Sequence, residues 1–299
     1  MPSRARRWPS SASSACCWTC RPGARPGCPT TSARGPRRAS PRPPERERGG
    51  PVNDRTASLH PGAIALVTGA SSGIGEATAR RLSERGARVI CAARRVDRLQ
   101  ALVAAWGDRV IALPLDVDRA DDVAGLIDRL PADWRAIDIL VNNAGHDIHG
   151  RRRFVNGTIA DWAAIVETNT VGLMRVAHAV LPGMLQRGRG HVVNIGSSSA
   201  FNLLGDSAYI ASKAAVHGLS QAWRSETLGK GVRVTEVIPG PVRTEFAATR
   251  LDGDAAGGEA FYKQFKAVIE ADDVARAIVY ALEQPGYMTV TELAMMPSA

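Results

Sequence analysis

The chain has 299 residues and a formal net charge of +9 at pH 7, and its length suggests one or two domains. Residues 1–51 carry this excess charge, with eleven Arg, two Glu and no Lys, whereas acidic and basic side chains balance from Val52 onward. The positive charge is therefore a property of the N-terminal segment and does not indicate nucleic-acid binding by the remainder. No run of about 18 uncharged apolar residues occurs, so no membrane span and no membrane partner are predicted.

Residues 1–58 are predicted to form a disordered tail, because a segment rich in Arg, Pro and Ser buries too little surface to offset chain entropy. Its use of Arg without Lys is also typical of a GC-rich coding sequence whose start was placed too far upstream. Val52 would then be the first residue, which the intact mass of the natural protein tests. A signal peptide, a zinc site around Cys17 and Cys20, and an Arg-rich nucleic-acid arm stay open as alternatives. We expect neither a metal nor a nucleic-acid partner.

From residue 59 to residue 299, short apolar runs alternate with helical patterns. This alternation is typical of a parallel sheet with helices on both faces, so we predict a single-domain, doubly wound α/β fold of the Rossmann type. Cys91 is the one cysteine of this region and indicates a reducing compartment, the cytoplasm. Strands are predicted at 63–67, 88–92, 110–113, 137–141, 191–195, 232–238 and 289–293, and helices at 73–85, 121–130, 159–186, 207–228 and 272–283.

A glycine-rich loop, Thr68–Gly75, follows the first predicted strand and precedes its helix. Backbone N–H groups and the helix dipole converge on a phosphate at such a position. Gly69 would allow the tight turn, Gly73 the approach of a pyrophosphate, and Gly75 close packing of helix on strand. The loop predicts a dinucleotide site.

The second predicted strand ends in Arg94 and Arg95 and lacks the acidic residue that would bind the ribose hydroxyls of NAD. A guanidinium can bind a 2′-phosphate through two hydrogen bonds, so these residues favour NADP(H) over NAD(H). The alternative is that both Arg begin a solvated helix. Asp116 and Val117, after the third strand, are predicted near the adenine, and Asn142–Gly145, at the end of the fourth strand, beside the cofactor.

Tyr209 and Lys213 are four residues apart in a predicted helix, so their side chains share one face. A cation at about 4 Å contributes on the order of 4 kcal/mol at an effective dielectric of 20, and on that basis Lys213 is predicted to lower the pKa of Tyr209 by up to about 3 units. Tyr262 and Lys266 repeat the spacing. They follow a Pro-Gly segment and lack Ser and Asn partners at workable distances, so the first pair is preferred.

With these motifs in order, the chain resembles the short-chain dehydrogenase/reductase family over about residues 60–296. The resemblance is closest to bacterial NADP-dependent reductases of the 3-hydroxy-acid and serine dehydrogenase type. It rests on Thr68–Gly75, Asn142–Gly145, Asn169, Ser197, Tyr209 with Lys213, and Pro239–Thr244.

The resemblance implies that Tyr209 exchanges a proton with the substrate and that Ser197 hydrogen-bonds the substrate oxygen. It implies that Lys213 binds the nicotinamide ribose and that Asn169 holds a water near it. The family usually places its Ser 13 residues before the Tyr, where this chain has Gly196. Ser197, at 12 residues, fits the pattern Asn194-Ile-Gly-Ser if the loop is one residue shorter, and Ser198 and Ser199 stay alternatives. The cofactor is assigned to Gly69, Ser71, Ser72, Gly73, Ile74, Gly75, Arg94, Arg95, Asp116, Val117, Asn143, Ala144, Gly145, Tyr209, Lys213, Pro239, Gly240, Val242 and Thr244.

The implied activity is hydride transfer between NADP(H) and a carbonyl or secondary alcohol of a small substrate, with a 3-hydroxy acid as a candidate. Arg151, Arg152 and Arg153 would then bind a substrate carboxylate or phosphate, or else form a solvated loop or a subunit contact. The enzymatic alternative is reduction of a 3-oxoacyl thioester, and the non-enzymatic alternative is a nucleotide-sensing protein of the same fold. By resemblance, a homotetramer or homodimer is expected.

Overall fold

A computed structural model describes residues 57–148, 153–203 and 205–298. Of the predicted tail, 1–58, only Ala57 and Ser58 are described, and the prediction of disorder therefore lies outside the described residues. Arg151 and Arg152 of the predicted substrate loop also lie outside them.

A seven-stranded, wholly parallel sheet forms the centre of the described chain, with strand order β3-β2-β1-β4-β5-β6-β9. The order reverses between β1 and β4, and ligands bind at such a switch point in open α/β sheets. A separate two-stranded sheet pairs β7 with β8. The strands are β1 (Ile64–Thr68), β2 (Arg88–Ala93), β3 (Val110–Pro114), β4 (Ile139–Asn142), β5 (Gly190–Ile195), β6 (Val232–Pro239), β7 (Val242–Arg243), β8 (Ile269–Glu270) and β9 (Glu292–Met295).

Helices cover both faces of the sheet. Within the described ranges, none combines the length and the apolar composition needed to cross a membrane. The helices are α1 (Gly73–Glu84), α2 (Val96–Trp106), α3 (Ala120–Ala124), α4 (Ile159–Val166), α5 (Leu173–Arg187), α6 (Ser199–Asn202), α7 (Ser207–Thr227), α8 (Phe246–Arg250), α9 (Ala255–Tyr262) and α10 (Ala271–Glu283).

The core consists of two apolar layers, one on each face of the sheet. Successive residues of a strand point to opposite faces, so β1 divides its side chains between them. Ala65 and Val67 join the layer that contains Leu82 of α1 and Ile278 of α10. Ile64 and Leu66 join the opposite layer, which contains residues of α5 such as Val180. The predicted doubly wound fold is confirmed.

Two predicted elements have other limits in the structure, and one helix was not predicted. The helix predicted at 121–130 ends at Ala124, since Gly125 caps it and the chain continues as turns. The last strand lies at Glu292–Met295 rather than 289–293, where it pairs with the end of β6. The helix α2, which directly follows Arg95, was missing from the predicted elements.

The helix predicted at 159–186 contains a π-helical segment, Glu167–Gly172, between α4 and α5. A π-turn widens the helix and is frequent at functional sites. Its last residue, Gly172, packs so closely on the segment after β3 that a Cβ there would lie 2.8 Å from a methyl carbon of Val117. The segment places Asn169 in the interior, 1 % exposed.

Candidate active site

A cavity of about 610 Å³ opens at the carboxyl ends of the central strands. The predicted cofactor residues come from the loops after β1, β2, β3, β4 and β6 and from α7, and all of them except Gly75 line this cavity. Parallel strands end at the same sheet edge, which is why residues far apart in sequence meet here.

The glycine loop after β1 has a shape that side chains would prevent. Gly69 and Gly73 have φ angles of +65° and +58°, in the left-handed region that favours glycine. A Cβ on Gly75 would lie 2.3 Å from the carbonyl oxygen of Gly69 and 2.5 Å from Nδ2 of Asn143. Gly75 thus packs beneath the loop, against Gly69 and Asn143, and does not line the cavity itself. The loop presents the N-terminus of α1, and this fits the pyrophosphate of a dinucleotide.

Hydrogen bonds tie the loop after β4 to the loop after β1. The hydroxyl of Thr68 accepts from the backbone N–H groups of Asn143 and Ala144, each at 3.0 Å. The side-chain amide of Asn143 donates to the Thr68 carbonyl at 2.9 Å. Asn143 therefore braces the two loops in addition to lining the cavity.

Two guanidinium groups lie at the end of β2. Arg95 donates to the hydroxyls of Ser71 at 3.0 Å and Ser72 at 2.6 Å, and it forms an ion pair with Glu245. Arg94 is exposed and also lines the cavity. The residues at this end of the cavity can thus surround a phosphate with two cations and two hydroxyls.

Tyr209 and Lys213 are both nearly buried on α7, at 8 % and 6 % exposure. The carboxylate of Asp206 caps this helix by accepting from the N–H of Tyr209 at 2.8 Å. The Lys213 ammonium donates to the carbonyl of Ile195 at 2.8 Å and lies 5.9 Å from the centroid of the Tyr209 ring.

Burial dominates the ionisation of both groups. It raises the pKa of Tyr209 to about 12, against hydrogen bonding by Ser197 and the charge of Arg250, which lower it. It lowers the pKa of Lys213 to about 8, against the charge of Glu236, which raises it. The predicted decrease in the pKa of Tyr209 is therefore wrong for this structure, since that prediction counted the Lys charge and omitted the loss of solvent.

Ser197 meets the phenol of Tyr209 through a side-chain hydrogen bond, and its hydroxyl accepts from the N–H of Ser199 at 3.1 Å. Ser197 is 8 % exposed, while Ser198 is intermediate in exposure, and both line the cavity. The hydrogen bond to the phenol distinguishes Ser197 from its neighbour.

A buried carboxylate explains why residue 196 has no side chain. Glu236 of β6 is fully buried, and its Oε2 accepts from Nδ1 of His217 at 2.7 Å. Burial raises the pKa of Glu236. A Cβ on Gly196 would lie 2.3 Å from its Oε1.

Asn169 holds backbone and helix together beside Lys213. Its Oδ1 accepts from the N–H of His146 at 2.8 Å, and its Nδ2 donates to the His146 carbonyl at 2.9 Å and to the hydroxyl of Ser212 at 3.1 Å. A Cβ on Gly145 would lie 2.9 Å from Oδ1 of Asn169 and 3.7 Å from Nζ of Lys213. Asn169 thus joins the β4 loop to α7, and its role as a water ligand stays a prediction.

The second Tyr-Lys pair also lies at the cavity, which its sequence context did not suggest. Tyr262 is 4 % exposed, and its hydroxyl accepts from the N–H of Thr244 at 3.3 Å and donates to the Thr244 carbonyl at 3.2 Å. Lys266 is exposed and lies beyond the end of α9. Tyr262 therefore supports the loop after β6, a different task from that of Tyr209.

Sequence reasoning missed a buried charged group that lines the cavity. Arg250 of α8 is 7 % exposed and lines the cavity, and its Nε lies 2.6 Å from Oδ2 of the fully buried Asp147. No motif marks Arg250, since its position depends on how α8 packs against α9. Arg153, by contrast, is exposed and is not among the described residues that line the cavity.

Known proteins are similar to this chain in sequence and in fold. The family model described as short chain dehydrogenase matches residues 63–255. The chain is 39% identical over 236 residues to the NADP-dependent 3-hydroxy acid dehydrogenase YdfG of Salmonella typhi, covering 78% of this chain and 94% of that protein. It is 38% identical over 233 residues to serine 3-dehydrogenase of Agrobacterium fabrum, covering 78% and 92%.

Among solved structures, the closed form of serine dehydrogenase complexed with NADP+ is similar, with a TM-score of 0.75 and 38% identity. That match covers 78% of this chain and 94% of the solved chain. The matched residues include the glycine loop, Asn169, Ser197, Tyr209 and Lys213, which the structure brings together around one cavity. The predicted family is confirmed, and the chain belongs to the short-chain dehydrogenase family of oxidoreductases.

Proposed function

We propose that the protein transfers a hydride between NADP(H) and the secondary alcohol of a small 3-hydroxy acid. The observation that carries this proposal is the arrangement of the cavity, with two Arg at one end and Tyr209, Ser197 and Lys213 further along it. The names of the similar proteins, a 3-hydroxy acid dehydrogenase and a serine 3-dehydrogenase, support the same substrate class.

The cofactor prediction is confirmed: the relative from Salmonella typhi is NADP-dependent, and a similar serine dehydrogenase has been solved with NADP+. The residues of this chain fit the group. The positive φ angles of Gly69 and Gly73 hold the loop in a turn that presents the N-terminus of α1, and Arg94 and Arg95 of the cavity supply cations for a 2′-phosphate.

The nicotinamide, when bound, supplies the acceptor or donor of the hydride, and proton transfer falls to the protein. Tyr209 Oη donates a proton to the substrate oxygen during reduction and accepts it during oxidation. With its pKa at about 12, the phenol keeps its proton at neutral pH and is ready to donate it. Ser197, hydrogen-bonded to that phenol, orients the substrate oxygen as charge develops there.

Lys213 supplies a positive charge next to the phenol. Its pKa of about 8 leaves it largely protonated at pH 7, and its bond to the Ile195 carbonyl fixes the ammonium. A cation at this place stabilises the phenolate that forms when Tyr209 gives up its proton, so Lys213 lowers the cost of each proton transfer.

We also propose a cytoplasmic location and a homo-oligomeric state. Cys91 supports a cytoplasmic location.

Exposed apolar side chains on α4 and α5 support a homodimer or homotetramer, since Ile159, Met174 and Leu185 are 78 %, 43 % and 37 % exposed. Light scattering should give two or four times the chain mass, and a monomer at micromolar concentration would contradict the proposal.

The two Tyr-Lys pairs provide a matched test of the catalytic role. Tyr209→Phe removes the proton donor and should lower kcat by roughly 10²–10⁴-fold. Tyr262→Phe makes the same chemical change in the same cavity but affects only the hydrogen bonds to Thr244, so kcat should fall less than about tenfold while thermal stability decreases slightly. Steady-state NADPH oxidation measures kcat, and calorimetry measures thermal stability. Equal losses of kcat in both variants would argue against Tyr209 as the proton donor.

Neighbouring Ser residues test which hydroxyl binds the substrate oxygen. Ser197→Ala should reduce kcat by roughly 10²–10³-fold, because it removes a donor that strengthens its hydrogen bond as charge develops. Ser198→Ala, one residue away, should stay within about threefold of wild type. A severe loss at position 198 alone would reassign the role to Ser198.

Cofactor choice can be tested at the end of β2. Arg94→Gln and Arg95→Gln should each lower kcat/KM for NADPH by roughly 10–100-fold, which corresponds to the loss of one charge-assisted hydrogen bond. Values for NADH should change little, since it has no 2′-phosphate. Arg98→Gln is the control, because Arg98 pairs with Glu245 and is not among the described lining residues. A wild-type preference for NADH would refute the role of these two Arg.

A further inference from the structure

Five Lys or Arg side chains line the cavity among the described residues. Arg94 and Arg95 follow β2 at the cofactor end, Lys213 serves Tyr209, and Lys266 is exposed. The fifth, Arg250 of α8, is nearly buried. The cofactor does not require it, and its charge is one of the effects that lower the pKa of Tyr209.

Arg250 lies among aromatic rings and close to the proton donor. Its guanidinium carbon is 6.0 Å from the centroid of the Tyr209 ring, 5.2 Å from that of Phe246 and 5.4 Å from that of Phe261. Rings hold a planar guanidinium by stacking and exclude water from around it. An anion that reaches the cation there meets it in a low-dielectric environment, where their attraction is strong.

One acidic residue, Asp147, lies against Arg250, and a second, Asp206, adjoins Asp147. Nε of Arg250 lies 2.6 Å from Oδ2 of Asp147, but the N–H is not directed at that oxygen, so the contact is electrostatic rather than a well-formed hydrogen bond. Burial and the adjacent Asp206 raise the pKa of Asp147 to about 8, against the charge of Arg250, which lowers it. Asp147 therefore offsets the guanidinium charge only in part at neutral pH. A buried unbalanced cation is costly, and a bound anion offsets that cost.

On these observations we propose that Arg250 binds the carboxylate of the substrate and makes this part of the cavity the subsite that selects hydroxy acids. The inference rests on the proposed function. It is spatially consistent, because the carboxylate carbon of a 3-hydroxy acid lies roughly 2.5 Å from the reacting carbon, across two C–C bonds. The group that binds the carboxylate must therefore adjoin Tyr209, as Arg250 does.

The subsite also separates the two enzymatic alternatives. A 3-oxoacyl thioester carries no charge at the position of the carboxylate, so it would leave the Arg250 guanidinium desolvated and unpaired. A free 3-oxo or 3-hydroxy acid pairs with it. Arg250 thus favours acids over thioesters in two ways. Its guanidinium pairs with the carboxylate of the acid, and it stays desolvated and unpaired when a thioester binds.

The experiment compares an acid with its uncharged counterpart in wild type and variants. The probes are 3-hydroxybutanoate and its methyl ester, each assayed by NADP+ reduction. Arg250→Gln should lower kcat/KM for the acid at least 100-fold, mainly through KM, whereas the value for the ester should fall less than about tenfold, through the raised pKa of Tyr209. Arg250→Lys keeps the charge but loses the two-point contact, so it should give a loss of about tenfold for the acid alone.

Arg243→Gln is the matched control. Arg243 also lies over an aromatic ring, that of Tyr262 at 5.5 Å, but it pairs with Glu259 and Glu270 and is not among the described lining residues. It should leave both substrates unchanged. NADPH binding, followed by fluorescence, verifies that each variant is folded. If Arg250→Gln does not bind NADPH, Arg250→Lys carries the test with the same comparison of acid and ester.

The possible failures are distinguishable. A wild-type enzyme that oxidises the ester but not the acid contradicts the proposed function before any variant is compared. A wild-type preference for the acid that survives in Arg250→Gln overturns the inference alone and transfers the role to another group, such as the Arg151–Arg153 loop. Equal losses for acid and ester in Arg250→Gln, with NADPH binding retained, also overturn it.

Discussion

Burial of the Lys213 ammonium is the constraint around which the catalytic end of the cavity is arranged. A buried cation needs hydrogen-bond acceptors and a nearby negative charge. The Ile195 carbonyl accepts from the ammonium, and Glu236 on the adjacent strand raises its pKa against the effect of burial. Asn169, in the π-helical segment, fixes the backbone on the other side. The charge of the Lys213 ammonium thus determines how three elements lie relative to one another: the end of β5, the π-helical segment and the start of α7.

Much of this arrangement could be predicted because it depends on local chemistry. The glycine loop, the strand ends and the Tyr209-Lys213 pair occur in the sequence as short motifs, and parallel strands bring their ends together without further information. The strand at Ile64–Thr68 and the helix at Gly73–Glu84 lie within one residue of their predicted limits, since Gly69 and Gly86 mark where the chain must turn.

Features that depend on long-range packing could not be predicted. The π-helical segment looks like ordinary helix in sequence, and its width reflects the contact of Gly172 with Val117. The pKa of Tyr209 was predicted in the wrong direction because the spacing reveals the Lys charge but not the exclusion of solvent. Arg250 looks like any helical Arg until α8 packs its side chain against the Tyr209 ring.

The contact between Gly196 and Glu236 links two positions that must change together. A side chain at 196 cannot coexist with the Glu236 carboxylate, whose Oε1 would lie 2.3 Å from the new Cβ. The hydroxyl beside Tyr209 therefore comes from the next residue, Ser197. A Ser introduced at 196 would therefore require a smaller or differently oriented residue at 236. The buried acid that raises the pKa of Lys213 thus also determines which position can carry the hydroxyl beside Tyr209.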